Sequence, residues 1–177
     1  MIISERLSEY IKALECDLPE YLDELEQRAL ADEVPIIRKE AQSLLRFLLC
    51  LLKPEKILEV GCAVGFSSAF MSEYMPENCT ITTIEKVEMR IKEAKKNLAA
   101  IPKADKVTLL CGDANEVLKE LADKGESYPF IFMDAAKGQY MNFLPHLMRL
   151  LPEGGILITD NVLQEGTIVE SKYTIPR

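Results

Sequence analysis

The chain has 177 residues, 48% hydrophobic and 28% charged, and a formal net charge of −8 at pH 7. That is the size and composition of one globular domain with a substantial core. The acidic balance argues against a general binder of nucleic acid or anionic membrane, whose footprint would be basic.

Residues 4–15 carry Leu7, Ile11 and Leu14 at helical spacing, with Ser4 placed as an N-cap. Pro19 opens a second helical stretch to about Asp32, rich in acidic residues and expected to be largely solvated. A break at Val34-Pro35 precedes a third helix over 39–52, whose expected buried face is Ala41, Leu44, Leu45, Leu48, Leu51 and Leu52. After Lys53-Pro54 the texture changes to alternating strands and helices. Strands are predicted at 56–60, 80–84, 106–110, 130–133 and 156–159. Helices are predicted between them at about 67–74, 87–100, 115–122 and 140–150. Each strand is a short apolar run, as expected where both faces are covered. The alternation implies a parallel sheet with right-handed crossovers. The fold class is therefore α/β: a single domain over 1–177, with a helical cap (1–53) packed on a Rossmann-like core (54–177).

The five cysteines, Cys16, Cys50, Cys62, Cys79 and Cys111, form no C-x-x-C pair. Cys50, Cys62 and Cys111 lie in apolar runs and are expected in the core. The set suggests free thiols in a reducing cytoplasm. The first residues show no basic stretch followed by an apolar core, so no secretory signal is expected. The longest apolar run, 44–52, contains Arg46 and is too short to span a bilayer. A cytoplasmic protein without a membrane partner is expected.

The segment Glu59-Val60-Gly61-Cys62-Ala63-Val64-Gly65-Phe66-Ser67 reads as a buried strand running into a glycine turn and a helix. Glycines let the turn be tight and let a ligand approach the backbone, and the helix start offers unpaired N–H groups. The G-x-x-x-G spacing differs from dinucleotide and P-loop fingerprints. No Lys or Arg lies between positions 57 and 68 to grip a polyphosphate. With Glu59 before the turn, the segment suits an adenosine ligand that lacks phosphates and carries a positive centre. S-adenosylmethionine, a sulfonium, fits.

In an open α/β sheet, ligands sit beyond the C-terminal ends of the strands. The second strand ends at Glu85, where an acid can accept both ribose hydroxyls. The third leads to Gly112-Asp113-Ala114, where a short polar residue can bond an adenine edge. The fourth ends in Asp134 and the fifth in Asp160-Asn161. Asp134, Asp160 and Asn161 are hard oxygen donors in low number, which suits Mg²⁺ with positions left open for water and substrate. Lys137 stands three residues past Asp134; beside a divalent cation its pKa would fall, and it could act as a general base. The one histidine, His146, lies in an apolar helix beside Pro145 and reads as structural. A nicotinamide-dependent dehydrogenase would need a third glycine in phase and a group for the pyrophosphate, and neither is seen. A non-catalytic cofactor-binding module would not require Lys137 together with the metal trio.

Together these residues resemble the cation-dependent O-methyltransferases of the caffeoyl-CoA and catechol type. Residues 59–67 resemble that family's first motif, Asp134-Ala135-Ala136-Lys137 with Tyr140 its metal-and-base motif, and Asp160-Asn161-Val162-Leu163 its second metal motif. The resemblance implies a Rossmann-like methyltransferase sandwich that uses S-adenosylmethionine and a divalent cation (Mg²⁺, or Mn²⁺ or Ca²⁺) and is often a homodimer. It implies cofactor contacts from Ile37, Glu59, Gly61, Ser67, Glu85, Asp113, Ala114 and Asp134. It implies metal ligation by Asp134, Asp160 and Asn161, with Lys137 as the base. The Val34-Pro35-Ile36-Ile37-Arg38-Lys39-Glu40-Ala41-Gln42 segment resembles the bacterial branch that methylates 5-hydroxyuridine at the tRNA wobble position. Small catechols or caffeoyl-CoA-like acceptors are the alternative. Position 62 is Cys where the family has a small hydroxyl residue. Family members continue past the equivalent of Arg177 with a closing antiparallel strand pair, so those C-terminal strands are expected to be missing here.

Overall fold

The computed structural model describes Tyr10 and residues 17–162. Apart from Tyr10, the helix expected over 4–15, with Ser4, Leu7, Ile11 and Leu14, lies outside the described residues. So do Cys16 and Leu163.

Helix α1 (Glu20–Ala31) starts after Pro19 with Glu20 and Asp23 in its first turn and Arg28 in its last. Both charge placements suit the helix dipole. The helix is less solvated than its acidity suggested: Leu22, Leu25 and Ala29 are buried, and so is Glu26. Helix α2 (Lys39–Leu52) ends where Lys53 turns left-handed (φ 48°) and Pro54 forbids continuation.

The core is a five-stranded sheet in the order β3-β2-β1-β4-β5. Its strands are β1 (Lys56–Val60), β2 (Thr80–Glu85), β3 (Val107–Cys111), β4 (Phe130–Met133) and β5 (Ile156–Thr159). Every pairing is parallel. The helices between them are α3 (Phe66–Tyr74), α4 (Glu88–Leu98), α5 (Ala114–Asp123) and α6 (Tyr140–Leu150). The class of fold is as expected, an α/β Rossmann-like sandwich, and strand positions agree within a residue or two.

Two cores lie on the two faces of the sheet. Ile57, Ile81, Phe130 and Phe132 pack with Leu22, Leu45, Leu49, Phe66, Phe70, Ala94 and Leu98, from α1 to α4. Leu58, Val60, Ile84, Ile131 and Met133 pack with Leu118, Phe143, Leu147 and Leu150, from α5 and α6. Neighbours in sequence take opposite faces because strand side chains alternate. Full burial of each large side chain stabilises by roughly 1.5–3 kcal/mol. The inner strands β1 and β4 are covered on both sides, whereas β3 and β5 are only partly covered among the described residues.

The structure corrects three burial expectations. On α2 the buried stripe is Gln42, Leu45 and Leu49, while Leu44, Phe47, Leu51 and Leu52 are exposed. The helix is apolar round most of its circumference, so the sequence pattern did not select the inward side. Cys50 is exposed because it shares that outer side, and Cys111 is exposed at the end of β3 at the sheet edge. Cys62 and Cys79 are buried. Among the described residues no helix is long and apolar enough to cross a membrane.

Candidate active site

The chain winds from β1 towards β3 on one face, then reverses to β4 and β5 on the other. The reversal leaves a crevice beyond the C-terminal ends of β1 and β4, where open α/β sheets bind ligands. Just past β1 the turn takes three left-handed residues: Gly61 (φ 103°), Ala63 (φ 46°) and Gly65 (φ 88°). It is closed by Gly65 N–H donating to Cys62 O at 2.8 Å. The start of α3 has no side-chain cap, so its first N–H groups remain available to a ligand. Asn97 on α4 donates from Nδ2 to Val64 O at 2.8 Å and steadies the turn from behind.

Two hollows flank this turn. The first, of about 280 Å³, is walled by Pro35, Ile36 and Ile37 on one side and by Gly61–Val64, Phe66 and Ser67 on the other. Asp134, Ala135, Lys137 and Asn161 complete it. The second, of about 200 Å³, is lined by Glu85, Lys86, Val87, Gly112, Asp113, Ala114, Gln139 and Phe143. Both share Gly61, Ala63, Asp134 and Ala135, so they form two ends of one trench.

At the second end, Glu85 Oε2 accepts the Ala63 N–H (2.8 Å), and Oε1 accepts the N–H groups of Lys86 (2.8 Å) and Val87 (2.9 Å). The carboxylate thereby ties the glycine turn to the end of β2. Asp113 caps α5 by accepting Asn115 N–H at 2.9 Å and faces Lys86 Nζ at 3.4 Å. That capping bond holds its carboxyl below the usual range, with a smaller contribution from Lys86.

At the first end, burial pushes the Asp134 carboxyl up to about 6, and the like charge of Asp160 adds to the rise while Lys137 opposes it. The ends of β4 and β5 are stitched together by Asp160 N–H to Met133 O at 3.0 Å. Tyr140 Oη donates to Asp160 O at 3.2 Å. Asn161 sits left-handed (φ 56°), a conformation Asn tolerates, and donates from Nδ2 to Asp160 Oδ2 at 3.0 Å. Lys137 opens a short 3₁₀ turn (Lys137–Gln139), exposed at the rim.

Of the expected site residues, Ile37, Gly61, Ser67, Asp134, Lys137 and Asn161 line the first hollow, and Glu85, Asp113 and Ala114 the second. Asp160 lines neither but is electrostatically coupled to Asp134. Glu59 lines neither hollow. It is 0% exposed, lies beneath the trench floor, and accepts hydroxyl hydrogens from Ser68 and Thr83 on Oε2. Burial raises its carboxyl pKa, against the pull of the Ser67, Ser68 and Thr83 hydroxyls, and the Asp134 charge adds to the rise. Its Oε1 has no hydrogen-bond partner among the described residues. His146 lines neither hollow, and its Nδ1 is buried with no hydrogen-bond partner among the described residues. Sequence reasoning named Pro35 and Ile36 only within the Val34–Gln42 stretch, and did not single out Lys86, Val87, Gln139 or Phe143 as lining residues. Lys86 and Val87 had a signal in following Glu85 directly. Gln139 and Phe143, one helical turn apart, had none until the chain was folded.

Among the described residues, no three His, Cys, Asp or Glu side chains gather as a metal-binding group. Asp134, Asp160 and Asn161 supply two carboxylates and one amide, oxygen donors of the kind Mg²⁺ takes. Burial and the neighbouring Asp160 raise the cost of ionising Asp134, and Lys137 opposes them; a divalent cation held by these oxygens would offset that cost.

The doubly wound parallel sheet, the glycine turn and the acid at the end of β2 define a Rossmann-like methyltransferase fold. Residues 12–177 match the family described as O-methyltransferase, and the chain belongs to that family. It is 34% identical over 142 residues to a caffeoyl-CoA O-methyltransferase of Stellaria longipes, covering 77% of this chain and 58% of that one. It is 29% identical over 133 residues to a catechol O-methyltransferase of Niastella koreensis, covering 75% of this chain and 60% of that one. The SAH-bound structure of a Podospora anserina methyltransferase superposes with a TM-score of 0.85 at 26% identity, covering 93% of this chain and 72% of that one. The chain thus spans about three-fifths of the length of the two curated relatives named here.

Proposed function

We propose that this protein is an S-adenosylmethionine-dependent O-methyltransferase that uses a divalent cation to present an acceptor hydroxyl. The observation that carries this reading is the trench itself, which has Glu85 and Asp113 at one end and Asp134, Lys137 and Asn161 at the other. The glycine turn lies between them. The SAH-bound relative supports the cofactor.

In this reading the domain is one unit, a cap over 1–53 and a core over 54–177. Glu85 accepts the ribose hydroxyls, Ala114 and Asp113 flank the adenine, and Ile37, Gly61, Ser67 and Asp134 border the methionine portion. Glu59 acts from beneath the turn, where the Ser67, Ser68 and Thr83 hydroxyls hold its carboxyl. Asp134, Asp160 and Asn161 would hold the cation, which would supply Lewis acidity towards the acceptor hydroxyl. Lys137 takes the hydroxyl proton. The acceptor oxygen then bonds to the methyl carbon as the carbon–sulfur bond breaks, leaving S-adenosylhomocysteine. The fixed wall and turn supply the near-attack alignment on which such a displacement depends.

The acceptor is a hydroxyl with a neighbouring oxygen. The names of the relatives support a catechol or caffeoyl-CoA-like phenol. The Val34–Gln42 resemblance supports 5-hydroxyuridine at the tRNA wobble position. A homodimer belongs to the same reading, supported by the exposed apolar side of α2 and tested by sedimentation. The deciding experiment is calorimetry with S-adenosylmethionine, with and without Mg²⁺, followed by methyl transfer to a catechol and to undermodified tRNA. Absence of cofactor binding overturns the proposal. Turnover that survives a chelator removes the cation from it.

A further inference from the structure

The wall of the trench opposite the sheet is made by irregular chain, residues 34–38, between α1 and α2. Val34 and Ile37 are buried, and Pro35, Ile36 and Ile37 line the first hollow. Irregular backbone at a ligand surface needs partners for its polar groups. Val34 N–H finds Ala29 O at 2.8 Å. The Ile37 carbonyl lies upstream of the α2 ladder, whose first bond runs from Gln42 N–H to Arg38 O. Ile37 O instead accepts from the side chain of Gln42, Nε2 at 3.0 Å.

Gln42 is 4% exposed, and the same Nε2 also donates to Glu26 Oε1 at 2.7 Å. Both amide hydrogens are therefore used. Glu26, itself 4% exposed, takes Lys39 Nζ on its other oxygen at 2.6 Å. A buried carboxylate on α1 thus aims an amide on α2 at one carbonyl of the trench wall. A plain helix-to-helix clamp would need the Glu26 bond alone. The second bond, to a residue that borders the ligand space, has a different consequence.

We infer that Gln42 is a positioning residue for the cofactor, holding the Pro35–Ile36–Ile37 wall at its distance from the glycine turn through the Ile37 carbonyl, with Glu26 orienting the amide. The inference rests on the cofactor reading above. Without the amide the wall loses its fixed stand-off, and the bound cofactor loses contacts while the sheet and turn stay intact.

A charge-swap pair separates this from a structural clamp. Gln42→Glu removes the donor and sets two carboxylates together. Adding Glu26→Gln restores an amide–carboxylate link between the helices but cannot restore a donor to Ile37 O. The swapped protein should melt, without cofactor, within a few degrees of the wild type, and calorimetry should show S-adenosylmethionine binding about tenfold weaker, about 1.4 kcal/mol. The single Gln42→Glu variant should show both lower melting and weaker binding. If it does not fold, the swap read against wild type decides alone. If the swap recovers affinity along with melting temperature, Gln42 is only a clamp and the inference falls. If the wild type itself does not bind S-adenosylmethionine, the cofactor reading falls, and this inference with it.

Discussion

Gly61 and Asp134 meet backbone to backbone: a Cβ added at Gly61 would stand 1.9 Å from the Asp134 carbonyl oxygen. The end of β1 and the loop after β4 can approach this closely only because one residue has no side chain. The contact joins the two ends of the trench, since both residues line both hollows.

Gly61→Ala should therefore be far worse than its chemistry suggests. Its φ of 103° is strained for alanine, and the clash is with backbone, which cannot rotate away. Gly125 is the control: its φ is 73°, but nothing lies within 4 Å of an added Cβ. Gly125→Ala should cost about 1–2 kcal/mol of strain. Denaturant unfolding should show Gly61→Ala losing clearly more, and calorimetry should show no cofactor binding. Equal losses would mean the Asp134 contact yields easily.

Glu85→Ala should weaken S-adenosylmethionine binding about ten- to a hundredfold, the loss of roughly 1.5–3 kcal/mol expected for a charge-assisted bond. Part of that loss comes through the turn, because Glu85 also accepts Ala63 N–H. Unchanged affinity in a titration would show that the end of β2 does not face the ribose.

Lys137→Ala should lower kcat by about 10²–10⁴-fold while the cofactor Kd stays near wild type, because the amine acts on the acceptor proton. The residue is exposed and at the rim, so the melting temperature should not move. A variant as fast as wild type would reduce Lys137 to a surface residue.

Asp113 should give the protein a measurable acid dependence. Its carboxyl is held below the usual value by the Asn115 N–H and by Lys86. A depressed carboxyl stabilises the fold above the unfolded-chain value of about 3.9, and that stabilisation is lost as pH falls through the folded value. Asp113→Asn keeps a capping oxygen but does not titrate. The melting-temperature gap between wild type and variant should be constant near neutrality and shrink as pH drops below about 4. A gap independent of pH would show that the cap bond, and not the charge, carries the effect.

The parallel sheet was legible because β1 and β4 are buried on both faces and therefore run almost wholly apolar, interrupted in β1 by Lys56 and Glu59, between turns marked by Gly61, Gly112 and Asp134. The strand-end rule then named Glu85, Asp113 and Asp134 before the trench could be seen, and Lys137 followed from its spacing after Asp134. Glu59 shows where that reasoning stopped. Sitting two residues before the turn, it reads as a trench residue, but its side chain lies buried under the turn with Ser68 and Thr83 and lines neither hollow. A pattern of types does not say which way a single side chain points when its neighbours on both faces are equally buried.

The sequence by itself determined the element order, the glycine turn and the acids at the strand ends, because those follow from local backbone chemistry and from periodicity along the chain. Only the tertiary structure decided which side of α2 faces inward, that Gln42 and Glu26 meet, and that Ile37 borders the same hollow as Lys137 and Asn161. Those pairs are far apart or out of phase along the chain. Their contacts exist only once the buried stripe of α2 has docked and the strand order has switched sides at β1 and β4.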